Sequence, residues 1–153
     1  MAVLEHRIPP PLVAMAAACL MWLASRFGAP LVPDAGWKTG LAVLLAAAGV
    51  ASSVSGMWAF TRARTTMNPV RLDSSAALVT RGIYRITRNP MYLGLTLLLL
   101  GWAVHLSQLL AFVVWALFVA YITRFQIVPE ERALAKLFGK AYDDYRARVR
   151  RWI

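Results

Sequence analysis

The sequence predicts an all-α integral membrane protein of about four transmembrane helices, the last two folded as a helical hairpin, with cytoplasmic helices at the C-terminus. Three observations predict it. Of 153 residues, 59% are hydrophobic and only 16% charged, whereas soluble domains carry nearer a quarter charged residues, and the mean hydropathy is +0.56. The apolar residues fall in long uncharged runs, each near the length that crosses a hydrocarbon core of about 30 Å. The basic residues, which set a net charge of +10, flank these runs and form no separate basic domain. An anionic membrane surface is therefore the expected partner, and nucleic acid is not.

Ile8 to Ser25 and Thr39 to Thr61 contain no charged residue and predict spans over about 8–26 and 39–61. Arg7 and Pro9-Pro10-Pro11 before the first run lack the pattern of a cleaved leader, so it reads as a retained span. Ala-rich stretches suit close packing, and both spans read as scaffold. The run from Asn89 to Thr123 is too long for one helix of about 20 residues and slightly short for two. A tight hairpin turning at His105-Leu106-Ser107-Gln108 resolves this into spans over about 90–105 and 108–125.

The connector 62–89 carries Arg62, Arg64, Arg71, Arg81, Arg85 and Arg88 against Asp73, and the tail 128–153 is again rich in Lys and Arg. By the positive-inside tendency both are cytoplasmic, as are both termini, in a bacterial-type inner membrane, while the loop at Asp34 faces outward. The whole of 1–153 reads as one membrane domain. In the tail, Pro129 suits a first helical position, Glu130 and Glu131 its first turn, and Gly139 a stop, with a second short helix beyond. Cys19 is the only cysteine, which excludes an intramolecular disulfide and a Cys-rich metal site, and no metal is expected. His6 and His105 are isolated, and Met15, Met21 and Met57 read as packing residues.

The chemistry is concentrated in two blocks that the hairpin brings to one face. The first runs from Leu78 through Arg88-Asn89-Pro90-Met91-Tyr92-Leu93-Gly94, and the second holds Glu130-Glu131, Leu134, Phe138-Gly139, Tyr142, Tyr145 and Arg150-Arg151-Trp152. Pro90 lacks an N–H and fixes its own φ, so the chain at Asn89 departs from a continuous helix and can present polar groups to a ligand. Tyr92 offers a π-face and Gly94 close approach. Two adjacent acids in the interfacial zone are costly unless a cation compensates them, and a sulfonium or ammonium ligand would do so. Taken alone, Tyr142, Tyr145 and Trp152 read as an interfacial aromatic belt, and Arg62, Arg64, Arg71 and Arg81 as membrane anchors.

Together these blocks resemble the isoprenylcysteine carboxyl methyltransferase and phospholipid methyltransferase superfamily, over roughly Ala76 to Trp152. The resemblance implies a membrane enzyme that moves a methyl group from S-adenosylmethionine to a hydrophobic or lipid-like acceptor, either an isoprenylcysteine-type carboxylate or a phospholipid amine. It implies that Ala77, Leu78, Val79, Tyr84, Asn89, Pro90, Met91, Tyr92 and Glu130 hold the cofactor. Asn89 stands where the carboxyl methyltransferases carry a His, and Asn-Pro-Met-Tyr is closer to the phospholipid branch. Gln126 stands where an Arg meets the isoprenylcysteine substrate, with Arg124 nearby as the cation. Glu131 is the candidate base for an amine acceptor and Arg88 a candidate catalytic cation. Spans one and two carry no recognisable family signature. Two alternatives stay open: an NADPH-dependent membrane reductase of the sterol reductase type, whose C-terminal helices and Pro-containing turn are also similar, and a non-catalytic small membrane protein.

Overall fold

The computed structural model describes residues 8–32, 35–63 and 77–153. His6, Arg7, Asp34, Arg64, Arg71, Asp73 and Ala76, used above, lie outside the described residues. Every regular element among the described residues is helical: α1 (Pro10–Ala24), α2 (Gly36–Arg62), α3 (Pro90–Leu106), α4 (Leu109–Ile122), α5 (Val128–Phe138) and α6 (Lys140–Arg148).

Three helices among the described residues are long and apolar enough to cross a membrane, namely Pro10–Phe27, Gly36–Arg62 and the continuous Leu109–Phe138, while Pro90–Leu106 is apolar but shorter. Their outer faces are themselves apolar. Leu12, Met15, Leu20, Val43, Leu44 and Leu117 are all exposed, a distribution that suits lipid, because a soluble helix buries its apolar stripe and shows water a polar one. Met21 alone among the three packing methionines is fully buried; Met15 and Met57 point outward.

Small residues let α2 and α3 approach until their backbones touch. A Cβ added at Gly94 of α3 would overlap the Ser53 hydroxyl and sit 2.5 Å from the Gly49 carbonyl oxygen of α2. Close glycine approach of this kind is the usual means of joining helices in lipid, where dispersion replaces the hydrophobic effect. Gly94 therefore serves helix packing and not the ligand contact expected of it. The Ser52 hydroxyl adds a 2.7 Å hydrogen bond to the Pro90 carbonyl. On the other flank α1 packs on α4 and α3, and Trp102 Nε1 donates to the Ala18 carbonyl at 3.2 Å.

The hairpin turns at Ser107, whose φ of 53° and ψ of 41° close α3 in the left-handed region. Its carbonyl accepts from the Leu31 amide at 2.6 Å, and Gln108 Nε2 donates to the Gly28 carbonyl at 2.7 Å. The turn is thereby tied to the α1–α2 loop.

No break occurs at Pro129. The helix entered at Leu109 passes through a π-helical turn at Thr123–Ile127 and continues as α5 to Phe138. Pro129 has no N–H and its ring crowds the carbonyl four residues back; the widened turn absorbs both defects without ending the helix. Thirty residues at 1.5 Å each extend about 45 Å, more than a hydrocarbon core requires. The uncharged stretch ends at Thr123, so Glu130 and Glu131 stand about two turns beyond it. Gly139, at φ 52° and ψ −127°, adopts a conformation open essentially to glycine alone, and it folds α6 back so that Tyr142, Tyr145 and Val149 pack with Leu78, Leu134 and Phe138.

Candidate active site

A cleft opens where the start of α3 meets α5 and α6. It is partly open to solvent, and the space enclosed within it is about 110 Å³. Ala77, Leu78, Val79, Tyr84, Arg88, Asn89, Pro90, Met91, Tyr92, Glu130 and Glu131 all line it. Residues of the two sequence blocks thus line one cleft. Phe60 of α2 joins them, packed edge-on to Tyr84 with ring centroids 5.6 Å apart; nothing in the sequence distinguishes it from any other aromatic at the end of a span.

The adjacent glutamates have unlike surroundings. Glu131 is held by two guanidinium groups: Arg151 Nε donates to Oε1 at 3.0 Å and Arg151 Nη2 to Oε2 at 2.7 Å, while Arg88 Nη1 lies 3.0 Å from Oε1. The Arg88 and Glu131 side chains are only 9% and 11% exposed, and Arg88 Nη1 also donates to the Tyr142 hydroxyl at 3.2 Å. With both oxygens engaged by cationic donors, Glu131 does not fit the base expected of it; it is part of the frame.

Glu130 pairs with no cationic side chain among the described residues. It accepts a 2.6 Å hydrogen bond from the Tyr92 hydroxyl at Oε1. Burial pushes its carboxyl from 4.5 up to about 7, the charge of Glu131 adds to the rise, and the Tyr92 hydrogen bond opposes it. An acid in this setting gains on meeting a cationic ligand, which restores the favourable surroundings that burial removed. The residues present therefore fit a sulfonium- or ammonium-bearing group.

Aromatic rings complete the walls. Burial raises the hydroxyl pKa of Tyr84, Tyr142 and Tyr145, so all three remain protonated. Tyr142 and Tyr145 are 1% and 4% exposed, and Tyr145 donates to the Tyr84 carbonyl at 2.8 Å. They are cleft and core residues, contrary to the interfacial belt their spacing suggested, because the fold at Gly139 turns α6 inward.

The Asn-Pro corner is fixed by the C-terminal segment. The Arg88 amide donates to the Arg150 carbonyl at 3.1 Å, and Asn89 Nδ2 donates to the Arg151 carbonyl at 3.0 Å. Asn89 is thus partly committed to the chain itself. Gln126 and Arg124, the expected substrate contacts, do not line the cleft. The π turn directs Gln126 into the core, where it is 2% exposed and Nε2 donates to the Ile8 carbonyl at 3.0 Å; Arg124 is exposed, its guanidinium 5.6 Å from the Phe125 ring centroid.

A family profile described as phospholipid methyltransferase matches residues 37–141. The chain belongs to the phospholipid methyltransferase family. As a member of that family it carries the match through α2, in which the sequence showed no signature, and through the Asn89–Tyr92 corner and Glu130–Glu131, while the cleft residues Tyr142 and Tyr145 and the C-terminal segment at 149–152 lie beyond it. Among its relatives, an uncharacterised protein of Haemophilus influenzae is 43% identical over 63 residues, 41% of this chain and 100% of that protein. Protein-S-isoprenylcysteine O-methyltransferase B of Arabidopsis thaliana is 32% identical over 88 residues, 58% of this chain and 45% of that enzyme. Protein-S-isoprenylcysteine O-methyltransferase of Schizosaccharomyces pombe is 33% identical over 72 residues, 47% of this chain and 30% of that enzyme. This phospholipid methyltransferase family member thus spans less than half the length of the two isoprenylcysteine enzymes.

Proposed function

We propose that the protein is a single-domain, four-span integral membrane enzyme with both termini cytoplasmic, in a bacterial-type inner membrane, that methylates a hydrophobic or lipid-like acceptor with S-adenosylmethionine. The observation that carries this reading is Glu130: a carboxyl group without a cationic partner among the described residues, hydrogen-bonded by Tyr92, in a cleft shared with the Asn89–Tyr92 corner. The family match supports methyl transfer and does not favour the reductase alternative.

The bound cofactor would supply a methyl group activated on a sulfonium. Ala77, Leu78, Val79, Tyr84, Asn89, Pro90, Met91 and Tyr92 would hold and orient it, with Glu130 offsetting its positive charge. Displacement at a methyl carbon gains chiefly from near-attack geometry, so positioning side chains suffice for most of the rate. An isoprenylcysteine-type carboxylate needs no proton removed. A phospholipid amine must lose one, and Glu130, whose Oε2 has no hydrogen-bond partner among the described residues, is better disposed to receive it than the clamped Glu131. The polar cofactor would enter from the cytoplasm and the acceptor from the bilayer, because the cleft adjoins the polar ends of apolar helices.

Calorimetry of the protein in detergent with S-adenosylmethionine tests this directly. Binding is expected for the wild type and strongly reduced binding for Glu130→Ala; folded protein that binds no cofactor would sink the proposal. Transfer of a labelled methyl group into a lipid extract then identifies the acceptor.

A further inference from the structure

The segment at Arg150–Arg151 is bonded to residues that line the cleft, and the family match stops short of it. Arg151 makes a two-pronged contact with Glu131 through Nε and Nη2. Its backbone carbonyl accepts from Asn89 Nδ2 and from the Thr87 hydroxyl, and the carbonyl before it accepts from the Arg88 amide. One short segment thus grips α5 and the corner preceding α3, elements that are more than thirty residues apart in sequence.

We infer that Arg151 is a positioning residue of the site: its guanidinium fork and adjoining carbonyls hold Glu131 and the Arg88–Asn89 corner together, so that Glu130 alone is turned to the ligand. The inference rests on the cleft being the cofactor site. A flat, delocalised fork matches a carboxylate in a way an ammonium cannot, and charge-assisted pairs of this kind fix geometry as well as add energy. Neutralising Glu131 also limits the negative charge felt by Glu130. The other groups facing Glu130 are Tyr92 from α3, Tyr84 from the turn before it, and Glu131 on its own helix, with Arg88 reaching Glu131 from the corner.

Arg151→Met, Arg151→Lys and, as a surface control, Arg148→Met test the inference in ligand-free protein by following Glu130 carboxyl titration with isotope-edited infrared spectroscopy. Arg151→Met leaves Glu131 less compensated, so the Glu130 midpoint moves to higher pH by roughly half a unit; the control does not move it, and in a Glu131→Gln background the shift vanishes. An unchanged midpoint in Arg151→Met would overturn the inference, since a merely structural side chain leaves that titration alone. Should Arg151→Met not fold, Arg151→Lys decides through hydrogen exchange at the Arg88 amide, expected to quicken about tenfold as the segment loosens; unchanged exchange overturns it too. Calorimetry on the same proteins adds a second arm, with S-adenosylmethionine binding weakened about tenfold by Arg151→Met. Absence of cofactor binding by the wild type would refute the cofactor reading of the cleft, while the titration still decides the role of Arg151.

Discussion

The Tyr92 hydroxyl donates a 2.6 Å hydrogen bond to Glu130 Oε1, joining the first turn of α3 to the first turn of α5 across the cleft. Its meaning depends on the residue next door. Glu131 engages both Arg88 and Arg151, whereas Glu130 pairs with no cationic side chain among the described residues. Two consecutive, chemically identical side chains are thereby given different tasks by the helix that carries them. About 100° of rotation between successive residues turns one toward the C-terminal segment and the other toward Tyr92.

Glu130 makes ligand binding depend on pH. Its carboxyl rises from 4.5 to about 7, so in the empty cleft it is substantially protonated at neutral pH. A sulfonium ligand favours the ionised form, and binding therefore expels a proton. Affinity should strengthen as pH rises through about 7 and level off above it. Calorimetry in two buffers of different ionisation enthalpy measures the released proton. Glu130→Gln should bind about tenfold more weakly and with a flat pH profile. Stability of the ligand-free protein should follow the opposite trend: a raised carboxyl contributes stability below its unfolded value that is lost as pH climbs through the folded one.

Tyr92→Phe isolates the hydrogen bond. The hydroxyl stabilises the charged form of Glu130 and opposes the rise caused by burial, so removing it should move the pH midpoint of binding upward. At neutral pH affinity should fall about tenfold, the usual scale for a hydrogen bond to a charged group. An unshifted midpoint would mean that the hydroxyl does not control Glu130.

Much of this was legible in the sequence, because hydropathy and the hairpin argument depend only on length and charge. Uncharged runs located the apolar helices, and the polar cluster containing Ser107 located the turn between α3 and α4. That the Asn-Pro corner and the acidic pair come together was legible from the hairpin that joins them, and both line one cleft. What escaped were matters of rotation and of long-range contact. Pro129 looked like a helix start, since a π turn has no local signature; that turn then decides that Gln126 faces Ile8 and not the cleft. Tyr142 and Tyr145 looked like belt residues because the direction of α6 depends on a single glycine angle. Arg151 was grouped with the second block, but its partners could not be read, as they lie 20 and 62 residues away in sequence.

Gly94→Ala should damage the scaffold and spare the chemistry. The new methyl group meets the Ser53 hydroxyl and the Gly49 carbonyl, and neither can withdraw without parting α2 from α3. Overpacking of this kind costs about 1–3 kcal/mol. Thermal unfolding in detergent should show the loss, while the pH at which cofactor binding strengthens stays where it is in the wild type. A variant as stable as the wild type would contradict the tight α2–α3 contact.

Gln126→Leu separates a structural glutamine from a substrate-binding one. Nε2 donates to the carbonyl of Ile8, the residue from which the chain approaches α1, and substitution removes that tie between the π turn and the N-terminal helix. Replacing an amide by an apolar group of similar shape leaves the Ile8 carbonyl without this partner, a loss of about 1 kcal/mol and of roughly 2–4 °C in melting temperature for a chain of this size. Because Gln126 does not line the cleft, the KM for the acceptor should be unchanged once an acceptor assay exists. A raised acceptor KM at wild-type stability would return Gln126 to the substrate site and require the π turn to open during the reaction.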